Sequence, residues 1–247
     1  MKRVLVALLV VALLVSSSAV AVSAKPDKPG RPEKLDQVIF VHPVAPDKPG
    51  KPDKPGKPPE DEEPKDNTYY ELWGGYLDGT ASYYVNPDVS LVTEGDPIVA
   101  VSAAAEAWDA VTAAELFNYA GTTTESWYAE DKQNTVSWVK FIPRNYIAVV
   151  VMWYDSDTMV IWEFDIVFNT FHKWGIDPIK EDKDTIKAFD IQNIATHEFG
   201  HPVGLDDLYD TKYSELTMYG YSSTGETKKC SLNIGDIAGA QKLYGTP

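Results

Sequence analysis

Residues 146–154 (YIAVVVMWY) are apolar at nearly every position. A short run apolar on both faces predicts a central strand. Residues 159–169 alternate instead. Ile161 lies opposite Trp162, Phe164, Ile166 and Phe168, which share a face, and this too predicts a strand. Shorter β-rich runs predict strands at 80–86, 115–119 and 135–141. Helical spacing occurs early and late. Asp96 and Pro97 supply an acidic N-cap and a first-turn proline, and Ala103, Ala104, Ala105, Ala107 and Trp108 carry that helix to about Val111. Residues 189–200 are spaced as a second helix. Strands with one early helix and a late one predict a sheet layered against helices.

The first 66 residues break this pattern. Residues 1–24 begin with Lys2 and Arg3, run apolar from Val4 to Val15, and end on Val22, Ser23 and Ala24. This is the pattern of a secretory signal peptide cleaved after Ala24, and it predicts a secreted protein with no membrane contact after cleavage. Residues 25–66 are low in complexity, repeating Pro-Asp-Lys-Pro-Gly at 26–30, 46–50 and 52–56. Such a stretch cannot bury a core and reads as a linker or short prosegment. Within it lies one apolar island, residues 35–44 (LDQVIFVHPV). An exposed island of this kind favours aggregation, so it is expected to dock as a short strand. It belongs either to a small prosegment or to a passive spacer. Residues 67–247 then form one domain by length.

Composition narrows the function. The chain has 247 residues with 22 Lys and Arg against 37 Asp and Glu, a formal charge of −15. Nucleic acid and anionic membranes repel such a chain and are not expected partners. A single cysteine, Cys230, excludes an intrachain disulfide and a multi-cysteine zinc site. It follows two lysines, which could lower its pKa, and a plain free thiol is the default reading.

The candidate chemistry lies at 197–207 (HEFGHPVGLDD). Histidines four apart on a helix share a face, so His197 and His201 can reach one ion at the roughly 2.0–2.1 Å that zinc requires. Glu198 can then face a water at the ion and accept its proton. Gly204 can end the helix in a left-handed turn, and the reversed chain can bring Asp207 to the ion as third ligand.

The full pattern, HExxHxxGxxD, resembles that of the metzincin zinc endopeptidases. Aspartate in last place, within Gly204-Leu205-Asp206-Asp207-Leu208-Tyr209, is similar to snapalysin. Residues 216–221 (LTMYGY) look like the Met-turn, with Met218 as an apolar floor beneath the metal, and residues 236–245 resemble the C-terminal helix of matrixins. The strand at 163–169 and residues 190–196 also look matrixin-like. The resemblance implies an α+β, zincin-like fold. It would have a twisted, mostly parallel five-stranded sheet with an antiparallel edge strand, a zinc helix and a C-terminal helix. It implies zinc as cofactor, an extended peptide as substrate and peptide-bond hydrolysis as the reaction. The alternative is a catalytically silent, secreted zinc-binding or surface module of the same fold. The retained Glu198 argues against it, because a structural site does not need that carboxylate.

Some residues depart from the pattern or compete with it. Pro202 removes the bond to the Glu198 carbonyl and is expected to loosen the last helical turn. Matrixins often hold latency through a prosegment cysteine, and residues 25–66 contain none, so any latency needs another device. Where some metzincins carry a transition-state tyrosine stands Gly220, which leaves Tyr221 as a weak oxyanion candidate. Glu215 or Glu226 would be the third ligand in a gluzincin reading. Asp177, Glu181, Asp182 and Asp184 could bind calcium, as could Asp206 and Asp210, but solvated carboxylates are the simpler reading. His172, between Phe171 and Lys173, is expected to be structural.

Overall fold

The computed structural model describes residues 30–46, 66–141, 143–177 and 187–247. Residues 1–24, expected to be a signal peptide, and the acidic positions Glu181, Asp182 and Asp184 lie outside them. Among the described residues the strands are β1 (Asp36–Pro43), β2 (Tyr76–Leu77), β3 (Ala81–Val85), β4 (Phe117–Thr122), β5 (Asn134–Val139), β6 (Tyr146–Tyr154), β7 (Val160–Asn169), β8 (Lys173–Gly175) and β9 (Ala188–Asp190). The helices are α1 (Pro97–Asp109), α2 (Ile191–Val203) and α3 (Ile234–Tyr244).

The main sheet runs β1-β6-β7-β5-β3-β4, and β2 pairs with β7. Strands β4, β3, β5 and β7 are mutually parallel, and β6 is antiparallel to β7. These five make the mostly parallel sheet with an antiparallel strand that the resemblance implies. The apolar island docks as a short strand, as expected: β1 joins the sheet outside β6, antiparallel to it from Asp36↔Tyr154 to His42↔Ala148. This reconciles two sequence readings. β6 would be an edge in the five-stranded sheet, yet it is apolar on both faces, and β1 makes it interior.

Each helix follows from its sequence. Asp96 accepts the Ile98 amide and caps α1. Ala100, Val101, Ala104, Ala105 and Trp108 form one buried stripe, and the small alanines let α1 pack closely on α2. Trp108 is fully buried, and its indole N–H donates to the Thr196 carbonyl on α2. The late helix begins at Ile191, not at Phe189. Phe189 lies in β9, paired with Trp174 of β8, and Asp190 caps α2 by accepting the Asn193 amide. Nor does Pro202 loosen the last turn, since α2 remains helical through Val203. Proline so near the helix end removes a single bond, and the turn that follows closes through Gly204, whose N–H reaches the Gly200 and His201 carbonyls.

Candidate metal centre

Helix α2 is the base of the site. Every residue from Asn193 to Val203 is buried, which fixes its rotation against the sheet and α1. Gly204 ends it at φ 114°, the left-handed conformation expected there, and a Cβ at this position would collide with the Gly75 carbonyl oxygen. The chain reverses and brings Asp207 back over the helix. Its Oδ1 lies 3.1 Å from His197 Nε2 and 3.9 Å from His201 Nε2.

The imidazoles are held in the form that binds metal. His197 Nδ1 lies 2.8 Å from the Thr217 carbonyl, and His201 Nδ1 lies 3.0 Å from the Leu205 carbonyl. A carbonyl only accepts, so both Nδ1 atoms carry the hydrogen and both Nε2 atoms present a lone pair. Burial also lowers the pKa of both rings, that of His201 to about 4, and so favours neutral imidazole. His197 Nε2, Asp207 Oδ1 and Glu198 Oε2 are buried without a hydrogen-bond partner. Unpaired buried polar atoms are costly, and two acceptors as close as His197 Nε2 and Asp207 Oδ1, 3.1 Å apart, fit a shared cation. His197, His201 and Asp207 can hold one ion with ligand atoms within 4.8 Å of each other. Burial first, and the Asp207 charge second, push the Glu198 pKa well above the ordinary carboxylate range. A cation at the site would oppose that shift.

The loop beneath the helix is latched from α3. Met218 is buried, and a methyl group added at Gly200 would overlap its sulfur, so the thioether packs directly against α2 between the two histidines. Asp236 is buried at the start of α3. It accepts the amides of Asn233 and Thr217 at 2.9 Å each and that of Met218 at 3.1 Å. The sequence reading did not single out Asp236, although its place three residues after Asn233 fits a helix cap. Asp236→Ala would leave three amides without their acceptor and is expected to cost about 3 kcal/mol or more, at about 1 kcal/mol per hydrogen bond. Urea denaturation of the variant against the natural chain measures it.

The remaining candidates separate clearly. Tyr221 packs edge-on against Tyr209 at 5.3 Å between centroids, and it is Tyr209 that reaches the site, donating its hydroxyl to Asp207 Oδ2 at 3.0 Å. Glu215 lies at the surface beside Lys228, and Glu226 lies by Ser222 and Ser223, so neither joins the cluster. Asp206 accepts the Asp207 amide and Asp210 caps a short 3-10 turn at Lys212. His172 is structural, bonded to the Tyr146 carbonyl and packed on Phe189. Cys230 is a free thiol, its default reading, and the adjacent lysines do not lower its pKa. Burial, and then the nearby Asp190 carboxylate, push it upward. Lys229 does not face the sulfur, because its ammonium is buried against the carbonyls of Tyr219 and Tyr221.

One residue at the centre comes from an unexpected place. His42, on β1, sets Nδ1 2.9 Å from Glu198 Oε1 and Nε2 3.1 Å from Ser222 Oγ. Its ring lies 4.0 Å from that of His197. Two residues earlier, Phe40 stacks on His201 at 4.1 Å and 16°. The only sequence signal was that the island holds the one histidine outside the peptidase-like region.

Comparison with known proteins identifies a family. The family model described as Matrixin matches residues 83–245, about two thirds of the chain. The chain is 36% identical over 73 residues to metalloendoproteinase 4-MMP of Arabidopsis thaliana, a stretch covering 30% of this chain and 20% of the relative. It is 41% identical over 58 residues to metalloendoproteinase 1-MMP of the same plant, covering 24% and 15% respectively. The matched stretches thus span a fifth or less of these relatives' own length.

Proposed function

The chain belongs to the matrixin family, and on that premise we propose that it is a secreted zinc endopeptidase with His197, His201 and Asp207 as its metal ligands. The observation that carries the proposal is that His197, His201 and Asp207 bring ligand atoms within 4.8 Å of one another, with both histidine tautomers presenting lone pairs and with His197 Nε2 and Asp207 Oδ1 buried and unpaired. Zinc, when bound, supplies Lewis acidity that polarises the scissile carbonyl and acidifies water. Glu198 takes the proton from the attacking water at Oε2 and returns it to the leaving amine. Met218 floors the ligands from below, and Asp236 holds that floor in place. The substrate lies extended along β6, paired to it through backbone hydrogen bonds. The signal-like residues 1–24 support secretion, and no helix among the described residues is long and apolar enough to cross a membrane.

The test is zinc content followed by digestion of unfolded casein, on the natural chain and on one carrying His42→Ala. One zinc per chain and zinc-dependent cleavage, lost on Glu198→Ala with the metal retained, are expected. Full zinc without cleavage of any member of a diverse peptide library would instead establish a silent zinc module.

A further inference from the structure

We propose that residues 31–45 are an inhibitor carried on the chain itself, lying in the substrate groove with His42 closed on Glu198. This rests on the peptidase reading above and adds how the site is regulated. The strand occupies the place where an extended substrate would add to the sheet. β1 pairs with β6 on one side, from Asp36 to Pro43. On the other side Val44 bridges Ser222, and the Ala45 amide donates to the Ser222 carbonyl at 2.8 Å. The segment therefore spans both walls, the edge strand above and the loop after Met218 below.

The alternation of β1 decides what it does there. Val38, Phe40 and Val44 pack on the main core from one face, and His42 is buried on the same face. Phe40 covers His201, with Trp73 at its side, and His42 covers His197 and Glu198. Ile39, on the opposite face, is 47% exposed. A strand that merely shielded the sheet edge from aggregation would need no polar side chain directed at the catalytic carboxylate. His42 instead engages one oxygen of the base and fills the volume where water and substrate carbonyl must meet. No cysteine takes part in this contact. The segment is also anchored away from the centre. Arg31 pairs with buried Glu163 at 3.1 Å, and Leu35 is buried with Val151 and Trp153.

The geometry further states what must displace the strand. Phe40 sits two residues before His42, against Trp73 and His201, so the groove there receives an aromatic side chain. An extended peptide with an aromatic residue in that position competes best.

The test uses the full, zinc-loaded chain and a fluorescent peptide hydroxamate whose Val-Ile-Phe-Val sequence copies residues 38–41, with the hydroxamate in place of His42. Anisotropy reads its binding, and hydrogen exchange reads the amides of residues 37–42. The natural chain should bind the probe about 100-fold more weakly than Phe40→Ser/His42→Ala, since the variant loses a stacked ring and a buried hydrogen bond. Binding should expose the β1 amides to exchange, and replacing the probe's Phe by Ser should weaken it. Ile39→Ser, on the outward face, should leave affinity unchanged. Should the double variant unfold by circular dichroism, His42→Ala alone carries the comparison with a smaller gain. Equal affinity of natural and variant chains overturns the proposal. So does probe binding while the β1 amides stay protected, or self-cleavage of the natural chain between Phe40 and Val44 on zinc addition. Zinc content is measured separately. A chain that binds no zinc contradicts the peptidase reading, and exchange in β1 alone still decides whether the strand fills the groove.

Discussion

Glu198→Gln is expected to lower casein hydrolysis by about 10²–10⁴-fold, the usual cost of losing a general base, or roughly 2.7–5.5 kcal/mol of barrier. Glutamine keeps the shape of the side chain and can still accept the His42 contact through its amide oxygen. It cannot accept a proton from water. Glu198 is fully buried, its Oε2 has no protein partner, and it follows the proposed ligand His197 on α2 while lying outside the His197, His201 and Asp207 group. Zinc content and the thermal midpoint should therefore stay near those of the natural chain. Rates should be measured with His42→Ala as the common background, so that release of β1 does not enter the comparison. Retention of more than about a tenth of the rate would mean that another group carries the proton.

The second large effect is on metal affinity. Asp207→Ala removes one of the three proposed ligands and leaves two imidazoles one helical turn apart. Losing an outer partner of a ligand typically costs about 10–100-fold in metal affinity, so losing the ligand itself should cost more than that. Tyr209→Phe provides the graded comparison, because it deletes only the hydroxyl that donates to Asp207 Oδ2. Its expected loss is about 10–100-fold. Glu215→Ala should change nothing, since that carboxylate is at the surface beside Lys228. Competition with a chromophoric zinc chelator measures all three. Unchanged affinity in Asp207→Ala together with a loss in Glu215→Ala would assign the third ligand elsewhere.

The parts of this site that lie close in sequence were legible without a structure. Histidines four apart, a glycine three further on and an aspartate after three more can be laid out on helical geometry, because a helix and one tight turn leave few arrangements. The early helix was equally readable from Asp96, Pro97 and its alanine stripe. Contacts between distant segments were not. His42 and Glu198 are separated by 156 positions. A period-two apolar run states which face of β1 is buried, but not what lies against it. The island's need to dock was visible, and its seat over His197, Glu198 and His201 was not. Cys230 shows the same limit on a smaller scale. Adjacent lysines suggested a depressed pKa, but neighbours in sequence point to different sides, and Asp190 faces the sulfur instead.

Asp236 belongs to the same class of long-range determinant. Its carboxylate serves two elements, the α3 cap and the backbone of Thr217 and Met218 beneath the proposed ligands. Through Thr217 this connects to His197, whose Nδ1 donates to the Thr217 carbonyl. The histidine's orientation therefore depends on a helix that begins 37 residues later in the chain, at Ile234 against His197. The dependence is physical, since a ligand ring is aimed by the group its other nitrogen meets.

The central claim is that the His197, His201 and Asp207 cluster with Glu198 hydrolyses peptides once β1 leaves the groove. It is tested most directly by casein digestion with the zinc-loaded Phe40→Ser/His42→Ala chain, before and after treatment with a zinc chelator. The account predicts cleavage that stops with the chelator and returns with one equivalent of zinc. A folded variant that holds its zinc, binds the hydroxamate probe and cleaves nothing would contradict it.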